Sequence, residues 1–96
     1  MLTPEQKRRL RQQSQTIKPL IQIGNNGVTE STINNIDTKL EDHELVKIKY
    51  NNNKDQREAL TQRIAQETKS EIIDTIGNTA TLYRRSRNPA KRVIKL

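Results

Sequence analysis

The stretch Leu20-Ile21-Gln22-Ile23-Gly24-Asn25-Asn26-Gly27-Val28-Thr29-Glu30 decides the fold. Residues 20–23 form a short apolar segment, which predicts a buried strand. Thr29 is a good N-cap, and apolar residues follow it at helical spacing from Ile33 to Leu40. The sequence therefore predicts a strand and a helix joined by a turn with a glycine at each end.

A turn of this kind leaves backbone N–H groups at the helix start pointing outward, where they suit a phosphate. A Walker loop is excluded because Val28 follows Gly27, where that motif needs a lysine. A dinucleotide fingerprint needs three spaced glycines, and this loop has only Gly24 and Gly27. A two-glycine loop that clamps a nucleic-acid backbone, as in KH domains, fits the pattern. The pattern by itself is also typical of an ordinary tight turn.

Composition predicts one small domain. The chain has 96 residues and no cysteine, so disulfides and thiolate metal sites are excluded. It has no apolar run of transmembrane length and no hydrophobic signal-peptide region near its start. We therefore expect a cytoplasmic protein with no membrane association, no cofactor and no small-molecule substrate.

Positive charge is concentrated at the two ends of the sequence. Residues 1–18 carry a net charge of +4, residues 19–83 carry −3, and residues 84–96 carry +6. This distribution is typical of a scaffold with basic arms for a polyanion. The alternative is a charged, solvated surface with no partner.

The hydrophobic pattern predicts seven elements. Helices are expected over about 3–15, 29–41 and 55–68, and strands over 20–23, 45–50, 70–76 and 79–83. The predicted order is an N-terminal helix followed by β-α-β-α-β-β, which makes a small two-layer α/β sandwich. We expect residues 1–84 to form the domain and residues 85–96 to form a basic C-terminal tail.

Several segments carry a family resemblance. Residues 23–30, then Ile36-Asp37 and residues 40–49, closely resemble the CRM domain, the chloroplast RNA splicing and ribosome maturation module, in its stand-alone bacterial YhbY-type form. Residues 76–79 and 82–84 are similar to the closing strand pair of that family.

The resemblance implies a fold like the C-terminal domain of translation initiation factor three, with the Gly-x-x-Gly loop as an RNA contact. For bacterial members it also implies association with precursors of the large ribosomal subunit. Many relatives carry a basic residue inside the loop, whereas this chain has Asn25 and Asn26. Part of the expected positive charge must therefore come from the ends of the chain.

The predicted RNA-binding residues lie in the loop, the first helix, one strand face and the start of the tail. They are Gly24, Asn25, Asn26 and Gly27, then Lys7, Arg8 and Arg11, then Lys47 and Lys49, and finally Arg84, Arg85 and Arg87. No catalytic or metal-binding residue is predicted, because His43 has no Ser, Cys or second His as a partner. The acids Glu41, Asp42 and Glu44 are expected to form a solvated helix end.

The leading hypothesis is a non-catalytic RNA-binding protein that binds ribosomal RNA in large-subunit precursors and assists ribosome assembly. One alternative is a small nucleotide-phosphate binder or enzyme that uses the same loop. Another is a general DNA-binding protein, because charge alone does not distinguish the two nucleic acids.

Overall fold

A computed structural model of the protein describes residues 2–52 and 54–94. Within those ranges no helix is long and apolar enough to cross a membrane. The elements in chain order are α1 (Pro4–Ser14), β1 (Ile21–Ile23), α2 (Glu30–His43), β2 (Leu45–Tyr50), α3 (Arg57–Thr68), β3 (Glu71–Ile76), β4 (Thr79–Tyr83) and a 3-10 turn (Pro89–Lys91). The predicted α/β fold and its order of elements are confirmed.

Local signals start the first two helices. At α1 the Thr3 hydroxyl accepts the backbone N–H of Gln6 (3.1 Å), and the Gln6 side chain accepts the backbone N–H of Thr3 (2.9 Å). At α2 Thr29 and Thr32 make the same reciprocal pair, with both contacts at 3.2 Å. Each capping box satisfies two backbone groups that would otherwise lack partners, so the two starts agree with the sequence prediction.

The four strands form one mixed sheet in the order β1-β2-β4-β3. Strand β1 runs parallel to β2, whereas β4 is antiparallel to both β2 and β3. The parallel pair places the end of β1 beside the end of β2. The glycine loop, the turn after β2 and the β3–β4 turn therefore meet at one end of the sheet, which we call the loop end.

The main core lies between one face of the sheet and the pair α2 and α3. Its central side chains are fully buried, and they include Ile36, Leu40, Ile48, Ile64 and Leu82. These are the two layers of the predicted sandwich. Burial of this apolar surface is the main source of stability for so small a domain.

Helix α1 packs on the opposite face of the sheet. Leu10, buried to 0% exposure, meets Leu45, Ile73 and Tyr83 in a second, smaller cluster. The Oγ of Ser14 lies 2.6 Å from the carboxylate of Asp74 in β3. Because α1 is short, it covers only the part of this face that lies away from the loop end.

The segment after β4 folds back onto the end of α2 around Glu44. The Glu44 side chain is fully buried, and its carboxylate accepts the backbone N–H groups of Ser86 (2.7 Å), Val93 (2.8 Å) and Ile94 (3.0 Å). The expectation of a solvated helix end is therefore wrong for Glu44. Its backbone also turns, with a φ of 64°, to leave α2 and enter β2. The division into a domain over 1–84 and a tail over 85–96 stays a prediction.

Candidate nucleic-acid interface

The glycine loop is a tight turn between β1 and α2. The N–H of Gly27 donates to the carbonyl of Gly24 (3.0 Å), and Gly27 has a φ of 68°, which favours glycine. The N–H of Thr32, in the first turn of α2, is bonded to the Thr29 side chain. These two N–H groups are used within the protein, so a phosphate would have to use other donors of the loop and of the first turn of α2.

Gly24 differs from Gly27 in its backbone conformation. Its φ lies outside the left-handed region, and a Cβ at this position would meet no heavy atom within 4 Å. The fold therefore gives no steric reason for a glycine at position 24. A ligand that approaches the backbone closely would give one, since a side chain there would stand in its path.

Polar side chains surround the loop at the loop end. The side-chain amide of Asn52 donates to the side-chain oxygen of Asn25, and the amide of Asn51 donates to Gln22 (3.3 Å). The N–H of Asn51 also donates to the carbonyl of Ile23 (2.9 Å). The turn after β2 thus supports the glycine loop, a contact that no local sequence signal indicated.

Lys47 and Lys49 project from the face of the sheet that α1 partly covers. Leu45 contacts α1 from this face, and side chains two residues apart in a strand share a face. Lys49 is exposed, and it lies in register with Gln22 on β1 and Thr79 on β4. The strand lysines and the basic helix therefore lie on the same side of the molecule.

The basic side chains of α1 differ in exposure. Arg8 and Arg11 are exposed, whereas Lys7 is half-buried beside the inner stripe of the helix. Arg9, which was not among the predicted contacts, pairs with Glu5 at 3.2 Å. We call the surface formed by α1, Lys47 and Lys49 the basic face.

The predicted contacts near the tail lie at the other end of the sheet from the glycine loop. Arg84 is only 12% exposed and pairs with Asp37 (2.5 Å), and Arg87 pairs with Glu41 (3.1 Å). Arg85 is exposed. The structure brings the loop to one end of the sheet and these three arginines to the other.

The acidic half of α2 is matched by the basic tail. The backbone N–H of Arg87 bonded to Glu41 lowers the pKa of that carboxyl. A hydrogen bond from Lys91 (2.8 Å) lowers the pKa of Asp42, and the same contact raises the pKa of Lys91. Part of the tail's positive charge is therefore paired within the protein.

Neither tyrosine offers an exposed stacking surface. Tyr50 is 1% exposed, its hydroxyl lies 2.7 Å from that of Thr61, and burial raises its pKa. Tyr83 is 8% exposed in the cluster under α1, and burial raises its pKa as well. Tyr50 belongs to the main core, and Tyr83 belongs to the second cluster.

Two basic residues near the loop end were missed by the sequence analysis. Lys54 and Arg57 stand at the start of α3 and line a cavity against the β3–β4 hairpin. The neighbouring acids Asp55 and Glu58 cancel the charge of these two residues in the sequence, so a count of charges did not indicate a basic site here. Over residues 2–52 and 54–94, no group of three or more His, Asp or Glu side chains is placed to hold a metal ion.

Comparisons with known proteins identify the family of this chain. The family model of the CRS1 / YhbY (CRM) domain matches residues 2–84. "Probable RNA-binding protein PA4753" of Pseudomonas aeruginosa is 32% identical over 93 residues, which cover 96% of this chain and 89% of that protein. "Probable RNA-binding protein YqeI" of Bacillus subtilis is 34% identical over 88 residues, which cover 91% of this chain and 92% of that protein.

A solved structure shares the whole fold. The solution structure of SAV1595 from Staphylococcus aureus, described as a candidate RNA-binding protein, superposes with a TM-score of 0.79 at 36% identity. The match covers 99% of this chain and 100% of that one. With the family match over residues 2–84 and this agreement in fold, the chain belongs to the CRS1/YhbY (CRM) domain family.

Proposed function

We propose that this protein is a non-catalytic RNA-binding protein that binds ribosomal RNA in precursors of the large ribosomal subunit and assists their assembly. Relatives that match almost the full chain are named RNA-binding proteins, which supports RNA as the partner. The ribosomal target rests on the resemblance of residues 23–30 and 40–49 to bacterial members of the family. The proposed place of action is the cytoplasm.

The observation that carries the proposal is Gly24, a glycine in a phosphate-suited loop that the fold itself does not require. A loop that lies open at the start of a helix lets a phosphate reach backbone N–H groups and the positive end of the helix dipole. In the proposed mechanism the loop holds one RNA phosphate and so sets the register of the strand. Asn25 and Asn26, both exposed, contribute side-chain amides to the phosphate or the ribose.

The basic face supplies the longer-range attraction in this mechanism. Arg8, Arg11 and Lys49 are exposed, and Lys7 and Lys47 are half-buried with long aliphatic stems. We propose that these side chains track successive phosphates, which gives affinity with little sequence information. Arg85 remains a proposed contact at the far end, whereas the pairing of Arg84 and Arg87 with acids reduces their part.

The experiment that tests the proposal is RNA crosslinking in cells, followed by sequencing of the bound fragments. We expect fragments of large-subunit ribosomal RNA, including unprocessed precursor ends. Fragments spread over messenger RNA would contradict the ribosomal target but leave RNA binding in place. Preferential recovery of DNA in a parallel crosslink would favour a general DNA-binding protein instead.

A second measurement separates RNA binding from recognition of a free nucleotide. Binding of a structured ribosomal RNA fragment should weaken steeply with salt, because phosphate contacts release counterions. Saturable binding of a free nucleotide that resists high salt would contradict the proposal and favour the nucleotide-phosphate binder.

A further inference from the structure

A cavity of about 590 Å³ lies between the first turns of α3 and the β3–β4 hairpin. Its size falls within the range of small-ligand sites, which is about 300–1,000 Å³. Its small apolar floor consists of Ile72, which is half-buried, and of Tyr50 and Ala80, which are each 1% exposed. These side chains belong to the main core or pack against it. The cavity therefore lies on the side of the sheet opposite the basic face.

The walls of the cavity are polar and carry two cations. Gln62 and Thr75 contribute an amide and a hydroxyl, and Lys54 and Arg57 contribute positive charge. The carboxylate of Glu58 also lines the cavity, so the net charge of its walls is +1. Among the described residues, the Nε of Arg57 is one of three buried side-chain atoms with no hydrogen-bond partner. A buried donor without an acceptor is costly, so an acceptor supplied by a ligand would relieve that cost. Arginine beside lysine is an arrangement suited to a phosphate.

The cavity borders the β3–β4 turn, which lies at the same end of the sheet as the glycine loop. The N–H of Tyr50 donates to the carbonyl of Asn78 in the β3–β4 turn (2.8 Å), and the N–H of Asn51 donates to Ile23 beside the loop (2.9 Å). The loop follows β1 and the cavity borders β3, which are separated by three strand spacings, about 14 Å. About four stacked nucleotides, at about 3.4 Å each, would cover that distance.

We propose that this cavity binds one nucleotide, with the base on the apolar floor and its phosphate at Lys54 and Arg57. The inference rests on the proposed function, because we assign the nucleotide to the RNA strand whose backbone the glycine loop holds. An unstacked base in a polar-walled cavity can be distinguished by its hydrogen-bonding edge, here by Gln62 and Thr75. The cavity would thus give the protein a base preference that phosphate contacts cannot supply. A free nucleotide carries the same base and phosphate groups as a nucleotide of an RNA strand, and the experiment distinguishes these two ligands.

The test is a titration of the full chain, followed by the backbone amide signals in NMR. The probes are the decamers of adenylate, cytidylate and uridylate RNA and the three corresponding nucleoside 5′-monophosphates. We expect one decamer to bind more tightly than the other two and to shift the amides of Thr75 and Gly77 as well as those of the loop. We expect the monophosphates to bind weakly.

Two variants and a matched control assign the effect to the cavity. Lys54→Glu should weaken binding of the preferred decamer about tenfold, whereas Lys69→Glu, the same charge change at the other end of α3, should weaken it less than twofold. Thr75→Leu, which fills the cavity without a charge change, should remove the preference among decamers and leave the weaker two unchanged. Both substituted lysines and Thr75 are exposed, so the variants should fold.

The possible outcomes distinguish failure of the cavity site from failure of the proposed RNA-binding function. Shifts of the loop amide signals without shifts at Thr75 and Gly77 would overturn the cavity site and leave RNA binding in place. Equal losses of decamer affinity in Lys54→Glu and Lys69→Glu would have the same consequence. Monophosphates that shift the cavity amides when no decamer does would overturn the assignment to RNA. A chain that binds none of the decamers at all would contradict the proposed function itself.

Discussion

Gly24 and Gly27 enclose the same turn, but the fold requires glycine at only one of them. Gly27 has a φ of 68°, a conformation that most side chains adopt at a cost. Gly24 has an ordinary φ and open space around the position of a Cβ. Substitutions at the two positions can therefore test a structural need for glycine separately from the proposed need of a ligand.

Gly24→Ala should leave the free energy of unfolding within about 0.5 kcal/mol of the original protein, because the new methyl group meets nothing. The affinity for RNA should fall about tenfold, since the methyl group stands between the backbone and a phosphate. Chemical denaturation and fluorescence anisotropy with a ribosomal RNA fragment measure the two effects. Unchanged affinity in the folded variant would show that the RNA does not approach this residue.

Gly27→Asp should weaken RNA binding at least tenfold, because it places a negative charge where the phosphate is proposed to lie. Gly27→Asn is the matched control, since Asn and Asp tolerate the left-handed conformation similarly and differ by one charge. The asparagine variant should keep most of the affinity at equal stability. Equal losses in both variants would assign the effect to the shape of the turn and contradict a bound phosphate.

At the scale of elements, α2 has two ends with different tasks. Its N-terminus follows the glycine loop and carries the positive end of the helix dipole. Its C-terminal half carries Asp37, Glu41 and Asp42, which pair with the basic segment after β4. One helix therefore presents its positive end beside the glycine loop, where we propose a phosphate, and holds the segment after β4 at its other end.

Glu44→Gln should destabilise the protein by about 1.5–3 kcal/mol, because a buried carboxylate with three backbone donors becomes an amide with a single acceptor oxygen. Urea denaturation measures the change, and protease cleavage within residues 85–94 should become faster. Glu58→Gln, at an exposed position, is the control and should cost a few tenths of a kcal/mol at most. Equal effects of the two variants would contradict the role assigned to Glu44.

The docking of the tail should depend on pH in a defined direction. The pKa values of Glu41 and Asp42 are lowered from their ordinary values of 4.5 and 3.8, so their contribution is present above those values and lost as the pH falls through the lower folded pKa values. The pKa of Lys91 is raised from 10.5, so its contribution is present below 10.5 and lost as the pH rises through the folded pKa.

We therefore expect the contacts of Arg87 and Lys91 with α2 to persist between the ordinary pKa of Glu41, 4.5, and that of Lys91, 10.5. In acid they should be lost as the pH falls through the lowered pKa values of Glu41 and Asp42. The amide signal of Arg87 in NMR spectra follows the acidic limb of this transition. Lys91→Ala should shift the acidic transition of Asp42 upward, toward its ordinary pKa. A tail with disordered amide signals at neutral pH would contradict the docking.

At the scale of the whole molecule, charge is sorted by surface. The net charge is +7, but Arg84, Arg87 and Lys91 are paired with the acids of α2. Among the other cations, Arg8, Arg11 and Lys49 are exposed on the basic face, and Lys54 and Arg57 lie near the loop end. Arg85 is exposed at the opposite end of the sheet. This arrangement supports one extended binding surface around the loop end of the sheet.

If that surface neutralises about six phosphates of single-stranded RNA, log affinity should fall with log salt at a slope of about −4. Binding measured from low to moderate potassium chloride gives the slope. Lys49→Glu should make the slope less negative by about the contribution of one phosphate contact. Lys91→Glu should change the slope little, because Lys91 is paired with Asp42 on the surface of α2. A slope near zero for the original protein would contradict the electrostatic mechanism.

The sequence by itself determined the order of elements, the starts of the first two helices and the glycine loop, because each depends on residues only a few positions apart. The predicted boundaries of β2 and β4 agree with the structure for the same reason: the alternation of apolar residues is a local property. The family resemblance also rests on short segments, and the match over residues 2–84 confirms it.

Only the tertiary structure decided the strand order, the face that α1 covers, the pairing of the tail and the cavity at α3. These features depend on contacts between residues far apart in the chain, such as Glu44 with Ile94, 50 positions away. A count of charges could not show that Arg84, Arg87 and Lys91 meet acids of α2, because charge pairing is set by which surfaces fold together. For the same reason the RNA-binding role that we propose for each basic residue depends on its place in the fold, which local sequence does not encode.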